Sequence, residues 1–246
     1  MERSEIRQEI SFFCKRLAFS QNPVRLCDLE ATPKQEEFLH HVFQEEVEHR
    51  KQVRKEQLFR KAGFPFRKTL EGYEFNQIRL PSAITLDELT LCQFIRDKRN
   101  LVLYGPVGTG KTHLGLTLGV KACDLSIETR FFTVAALVTR LSEAKKTGNL
   151  EKTLKDLWRA ELIILDEWGY LPMDREDAQL LFQVVSASYE RRSRIITTNL
   201  EFSKWGGIFT DDQMAAAMID RLAHHGHLIV FEGESYRLKN ALMRQK

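Results

Sequence analysis

Apolar positions recur at two different periods along the chain, and the change between them divides it. Ile6, Ile10, Phe13 and Leu17 are spaced as one face of a helix, and Phe38, Val42 and Phe43 begin a second stripe. From Pro33 to about Ala62 a single long helix is expected, acidic in its first half (Glu36, Glu37, Glu45, Glu46, Glu48) and basic in its second (Arg50, Lys51, Arg54, Lys55, Arg60, Lys61). That order suits the helix dipole and allows pairs such as Glu46 with Arg50, so a solvated face is one reading of it. Gly63-Phe-Pro-Phe66 ends the helix as a linker.

After residue 70, short apolar runs alternate with amphipathic stretches, the pattern of a parallel sheet with crossover helices. Strands are expected at Leu101–Tyr104, Arg130–Thr133, Leu162–Leu165, Arg194–Thr198 and Leu228–Phe231. Helices are expected at Thr112–Asp124, Val134–Lys146, Asp174–Glu190 and Asp212–Ala223. In the third helix Ala178, Leu181, Phe182, Val185 and Tyr189 share a face, with Asp174 as its N-cap. The prediction is an α/β domain over 69–246, preceded by a small all-helical domain over 1–68.

Composition changes this picture little. The 246 residues are 43% hydrophobic and 29% charged, which excludes disordered and fibrous classes. No apolar run is long enough to span a bilayer, and the charged opening MERSEIRQEI leaves no room for a signal peptide, so a cytoplasmic protein is expected. Cys14, Cys27, Cys92 and Cys123 lie far apart and read as buried or idle thiols.

Charge changes it more. The net charge of +3 sits wholly in residues 1–70, which hold 14 Lys and Arg against 11 Asp and Glu, leaving 23 against 23 in the remainder. From His49 to Lys68 eight basic residues face Glu56 alone. Such a stripe binds phosphates through charge without reading sequence, so Arg50, Lys51, Arg54, Lys55, Arg60 and Lys61 are candidate DNA contacts.

The sharpest chemistry lies in Gly105-Pro-Val-Gly-Thr-Gly-Lys-Thr112, a G-x-x-x-x-G-K-[ST] loop between an apolar strand and a helix. Gly105, Gly108 and Gly110 let the backbone turn its N–H groups toward phosphates at a helix N-terminus. Pro106, Val107, Thr109 and His113 complete this nucleotide-binding stretch. Lys111 is expected to reach the β- and γ-phosphates, and Thr112 to put its hydroxyl on Mg²⁺.

Leu162-Ile-Ile-Leu-Asp166-Glu167 is a buried-strand run ending in two carboxylates, 54 residues after Thr112. Asp166 is placed to hold the Mg²⁺ shell and Glu167 to polarise an attacking water. The second carboxylate favours hydrolysis over phosphotransfer, since a small-molecule kinase takes its nucleophile from the substrate. Ile195-Ile-Thr-Thr-Asn199 ends a third apolar strand; Asn199 either senses the γ-phosphate and its attacking water or simply forms a turn. Arg221, in Ile219-Asp-Arg-Leu222, either neutralises charge in a neighbouring subunit's site or makes a surface salt bridge, and Arg237 carries the same ambiguity. His224, His225 and His227 lack the i, i+4 spacing of a helical metal pair, and no carboxylate or thiol partner is apparent for them. Trp168 and Trp205 are expected in loops beside the nucleotide strands.

GPVGTGKTHL (105–114), LIILDEWGYLP (162–172), EDAQLLFQVVSASYERRSRIITTNL (176–200), FSKWGGIF (202–209), IDRLAHH (219–225) and GESYRL (233–238) occur in order. Together they resemble IstB, the transposition-helper ATPases of bacterial insertion sequences, over about 170 residues. DnaC-type helicase loaders and DnaA-type initiators are its relatives in the AAA+ group. The resemblance implies a P-loop AAA+ ATPase domain, with a parallel central sheet flanked by helices, that uses ATP and Mg²⁺.

It implies further that subunits form a homo-oligomeric ring or spiral, promoted by ATP and DNA, on double-stranded target DNA. A cognate IstA-like transposase is the implied partner, with a DnaC-like helicase loader as the alternative role. Lys111 and Thr112 correspond to Walker A, Asp166 and Glu167 to Walker B, Asn199 to sensor 1, Arg221 to an arginine finger acting in trans, and Arg237 to sensor 2. An extra helical insertion within Thr133–Arg159 is implied to face DNA, where Lys145 and Lys146 are candidates. Trp168 departs from the leucine common in IstB-like sequences and leaves the Asp-Glu pair intact.

Overall fold

The computed structural model describes residues 2–170, 173–209 and 211–239, apart from the side chain of Leu238. Leu171 and Pro172 of the GYLP run, the Leu238 side chain of GESYRL and the final stretch 240–246 therefore lie outside the described residues. Two compact units divide the chain, Met1–Gln57 and Leu58–Lys246. No helix among the described residues is long and apolar enough to cross a membrane.

The first unit is built from α1 (Arg3–Leu17), α2 (Asn22–Leu29) and α3 (Pro33–Ala62) as far as Gln57. Glu2 and Glu5 cap the start of α1 reciprocally, satisfying backbone N–H groups that the helix leaves free. Ile6, Ile10, Cys14 and Leu17 then pack with Cys27, Phe43 and Val47 into a small core. The expected stripe on α3 is corrected: Phe38 is 69% and Val42 41% exposed, whereas Phe43 and Val47 are buried and Leu39 packs beside them. The core face thus runs through 39, 43 and 47, and Phe38 and Val42 lie one residue earlier, about 100° around the helix.

Nor is the acidic half of α3 uniformly solvated. The Glu36 carboxylate is fully buried and accepts hydrogen bonds from Arg3 Nε at 2.8 Å and Arg7 Nη2 at 2.7 Å. Those bonds from Arg3 and Arg7 hold its pKa down to about 2, against the cost of burial. Further along, Arg50 Nε does pair with Glu46, at 2.7 Å.

The second unit is an α/β sandwich. Its strands are β1 (Ile78–Arg79), β2 (Asn100–Tyr104), β3 (Thr129–Thr133), β4 (Leu162–Trp168), β5 (Ser193–Thr198) and β6 (Gly226–Phe231), in sheet order β1-β6-β2-β5-β4-β3. Every pairing is parallel except the short β1 with β6. Interior strands covered on both sides must be apolar throughout, and β4 shows how. Leu162 and Ile164 join one cluster with Leu103, Leu114 and Ile195, while Ile163 and Leu165 join the opposite one with Leu137, Leu181 and Ile196.

The first cluster lies under α4 (Leu86–Thr90), α5 (Gln93–Arg96) and α6 (Lys111–Asp124); the second lies under α7 (Val134–Lys146), α8 (Leu150–Leu157), α9 (Arg175–Ala187), α10 (Gly206–Phe209) and α11 (Asp212–His224). Helices α7 and α8 lie within the stretch Thr133–Arg159. The four free cysteines are all buried. Trp168 is corrected from a loop to the end of β4, while Trp205 lies in the turn before α10; both are fully buried, with ring centroids 5.1 Å apart, because Phe209 and Ile208 of α10 close an apolar cover over the end of β4. The carboxyl ends of β2, β4, β5 and β6 share one edge of the sheet, where open α/β folds bind ligands.

Candidate nucleotide site

The loop after β2 is shaped by its glycines. Gly105 has φ +152°, and a Cβ there would run into the Phe231 carbonyl; Gly108 has φ +83°, and a Cβ there would meet the Ser235 side chain. Only glycine accepts both the conformation and the close approach. Gly105 N donates to Thr198 O at 3.3 Å, fastening the loop to the end of β5. Thr109 Oγ1 donates to Pro106 O at 2.8 Å, Val107 stands exposed at the tip, and Gly110 precedes the first turn of α6. A short helix, α12 (Tyr236–Lys239), is anchored to the same loop by Tyr236 N donating to Gly108 O at 3.0 Å.

Lys111 Nζ donates to Gly105 O at 2.8 Å and to Pro106 O at 2.6 Å. Its pKa is lowered to about 8, chiefly by burial, which the charge of Asp166 opposes and that of Arg237 reinforces. Arg237 is thus brought electrostatically close to Lys111 by α12. His113, in the first turn of α6, lies edge-on to Tyr73 with ring centroids 5.1 Å apart, and burial followed by the charge of Lys68 depresses its pKa.

Asp166 is 4% exposed at the end of β4, and its Oδ1 accepts from Thr112 Oγ1 at 2.8 Å and also from Thr197 Oγ1. The β4–β5 ladder then breaks register: Leu165 pairs with Ile196 and Trp168 with Thr198, so Asp166 and Glu167 together oppose Thr197. This β-bulge gives Glu167 a left-handed φ of +61° and leaves its side chain exposed, while its backbone N donates to Thr197 Oγ1 at 3.0 Å. Two adjacent carboxylates thereby acquire different surroundings, one buried and bonded, the other solvated.

A hydroxyl and a carboxylate, both hard oxygen donors, meet at the end of the phosphate-type loop, and Asp166 Oδ2 accepts no hydrogen bond among the described residues. That donor set fits Mg²⁺. The positive-φ loop at the start of α6 fits a polyphosphate.

Other expected residues lie apart from this cluster or at its rim. Asn199 is exposed just beyond β5. Arg221 folds back on its own helix, donating to Ala217 O at 2.8 Å with its guanidinium 4.9 Å from the Phe182 ring centroid. Lys145 makes an ion pair with Glu176, and Lys146 is exposed. On α3, Arg50 pairs with Glu46, Lys51 with Glu48 at 3.3 Å and Lys61 with Glu128 at 3.4 Å, while Arg54, Lys55 and Arg60 carry no ion pair among the described residues.

The expectation that no carboxylate stands near the histidines is corrected: the turn after α9 brings Glu190 to His225 Nε2 at 2.8 Å, and Tyr189 of the same turn bonds His224 Nδ1 at 2.7 Å. His227 is buried on β6.

Sequence reasoning missed Thr197, which touches both Asp166 and Glu167, and Tyr73, whose hydroxyl lies 3.4 Å from Gly110 O. Tyr73 carried no sequence signal. Thr197 stood inside an apolar strand run, and its only mark was a hydroxyl two positions before Asn199.

Residues 18–244 match the family model described as IstB-like ATP binding protein. The chain belongs to this IstB family. It is 41% identical over 203 residues to the protein named for ATP binding in insertion sequence IS21 of Pseudomonas aeruginosa, covering 82% of this chain and 77% of the relative. A second IstB-family relative, from insertion sequence IS232 of Bacillus thuringiensis subsp. berliner, is 36% identical, covering 81% and 80%. Among solved structures, the DnaC helicase loader superposes with a TM-score of 0.53 at 21% identity, over 67% of this chain and 96% of its own. That likeness shows a shared fold.

Proposed function

We propose that this IstB-family protein hydrolyses ATP at the loop 105–112, assembles with further copies on double-stranded target DNA, and assists a cognate IstA-like transposase in selecting that target. The observation that carries the hydrolytic part is the junction at Asp166 Oδ1, which ties the loop to β4 and β5 while the adjacent bulge presents Glu167. Backbone N–H groups of the loop and the Lys111 ammonium hold the phosphates. Thr112 and Asp166 hold Mg²⁺, which when bound neutralises charge on the phosphate oxygens. Glu167 accepts a proton from the attacking water, Asn199 orients that water, and Arg237 adds positive charge beside Lys111. Arg221 leaves its rest on Phe182 to serve a neighbouring subunit's site, which makes hydrolysis depend on assembly.

The insertion-sequence context of the relatives supports DNA and a transposase as partners. The basic residues Arg50, Lys51, Arg54, Lys55, Arg60 and Lys61 supply phosphate contacts, with Lys145 and Lys146 of α7 as a second group. Hydrolysis resets the assembly by removing the γ-phosphate that neighbouring subunits share.

The test is ATP turnover with and without duplex DNA. The wild type hydrolyses ATP, faster with duplex; Lys111→Ala fails to bind nucleotide; Glu167→Gln binds it but turns over about a hundredfold more slowly. Turnover by Glu167→Gln at the wild-type rate overturns the general-base assignment.

A further inference from the structure

We infer that Thr197 is a positioning residue that sets both carboxylates of the site through one hydroxyl, an inference that rests on the ATPase reading above. Thr197 is 2% exposed in β5 and its side chain faces the two-residue bulge of β4. A hydroxyl has one proton to give and lone pairs to receive with. Here the proton goes to Asp166 Oδ1 and a lone pair takes the Glu167 N–H at 3.0 Å.

Both bonds answer a problem created by the bulge. An extra residue in one strand leaves a backbone amide without a ladder partner, and a buried amide without an acceptor is costly. Glu167 also holds a left-handed φ, which a residue with a Cβ adopts only when its surroundings enforce it. The Thr197 oxygen supplies the missing acceptor and thereby fixes the backbone from which the Glu167 side chain projects. Because the same hydroxyl, with Thr112 Oγ1, orients the Asp166 carboxylate, one atom bears on both the metal-holding group and the proton acceptor. Catalytic groups must hold their geometry to within a fraction of an ångström, so loosening this atom degrades turnover more than nucleotide binding. The next residue, Thr198, bonds Trp168 O and Leu200 N but neither carboxylate, which confines the role to Thr197.

The experiment compares Thr197→Val, which keeps shape and loses the hydroxyl, with Thr197→Ser, which keeps the hydroxyl. Thr197→Val lowers kcat about tenfold or more with ATP affinity changed by less than about twofold, and Thr197→Ser restores most of the loss. The inference is overturned if Thr197→Val turns over like the wild type, if affinity falls in step with kcat, or if Thr197→Ser does not recover. Glu167→Gln run alongside separates the two levels. A slow Glu167→Gln beside a fully active Thr197→Val rejects the Thr197 role alone, whereas a wild type without turnover rejects the ATPase reading and this inference with it.

Discussion

Thr112 Oγ1 donates to Asp166 Oδ1 at 2.8 Å, joining the residue after the loop lysine to the end of β4. If the two oxygens hold Mg²⁺ together, their variants share one defect. Thr112→Val and Asp166→Asn each raise the Mg²⁺ concentration needed for half-maximal turnover, by about tenfold, and the double variant is no worse than Asp166→Asn. A Mg²⁺ titration of ATP hydrolysis checks this; an unchanged midpoint in both variants removes the metal assignment.

Lys111 makes nucleotide affinity depend on pH. Its pKa is lowered to about 8 by burial and by Arg237, so the ammonium that meets phosphate predominates below that value and is lost above it. Bound phosphate favours the charged form and raises the pKa, so binding takes up a proton in alkaline solution. ADP affinity is accordingly flat near neutrality and falls above about pH 8, with a slope approaching tenfold per pH unit. Calorimetric titrations in two buffers of different ionisation heat report the proton uptake. Equal apparent heats at high pH contradict it.

Acid should loosen the first unit through Glu36. Its folded pKa of about 2 lies below the ordinary 4.5, so the stabilisation is present above 4.5 and is lost as pH falls from there toward 2. Glu36→Gln lowers the melting temperature at neutral pH by several degrees and flattens the acid dependence in that window. Thermal melts of the full chain followed by helical circular dichroism test both; a variant as stable and as acid-sensitive as wild type counts against the Glu36 cluster.

The chain displayed its α/β fold openly because local signals and tertiary demands agree there. Gly105 to Thr112 is one contiguous loop, and β4 is apolar at every position down to Leu165 because helices cover both of its faces. What stayed hidden depends on partners distant in sequence. Glu36 looks like any acid on a solvated helix until Arg3 and Arg7 of α1 meet it. Phe38 fits a helical stripe as well as Phe43 does, and only the packing of α1 chooses between them. Thr197 gains its place from a register shift between two strands, which no local pattern encodes. The same holds for Glu190, which reaches His225 across 35 positions.

The central claim is that ATP governs assembly on duplex DNA, and it is tested most directly by binding to a duplex of about 60 base pairs and to the matched single strand, each with ATP, ADP or no nucleotide, over a salt series. The account predicts cooperative duplex binding that requires ATP, weakens steeply with salt and is reduced by Arg54→Glu and Lys55→Glu. Preference for the single strand, the behaviour expected of a helicase loader, or duplex binding indifferent to nucleotide would contradict it.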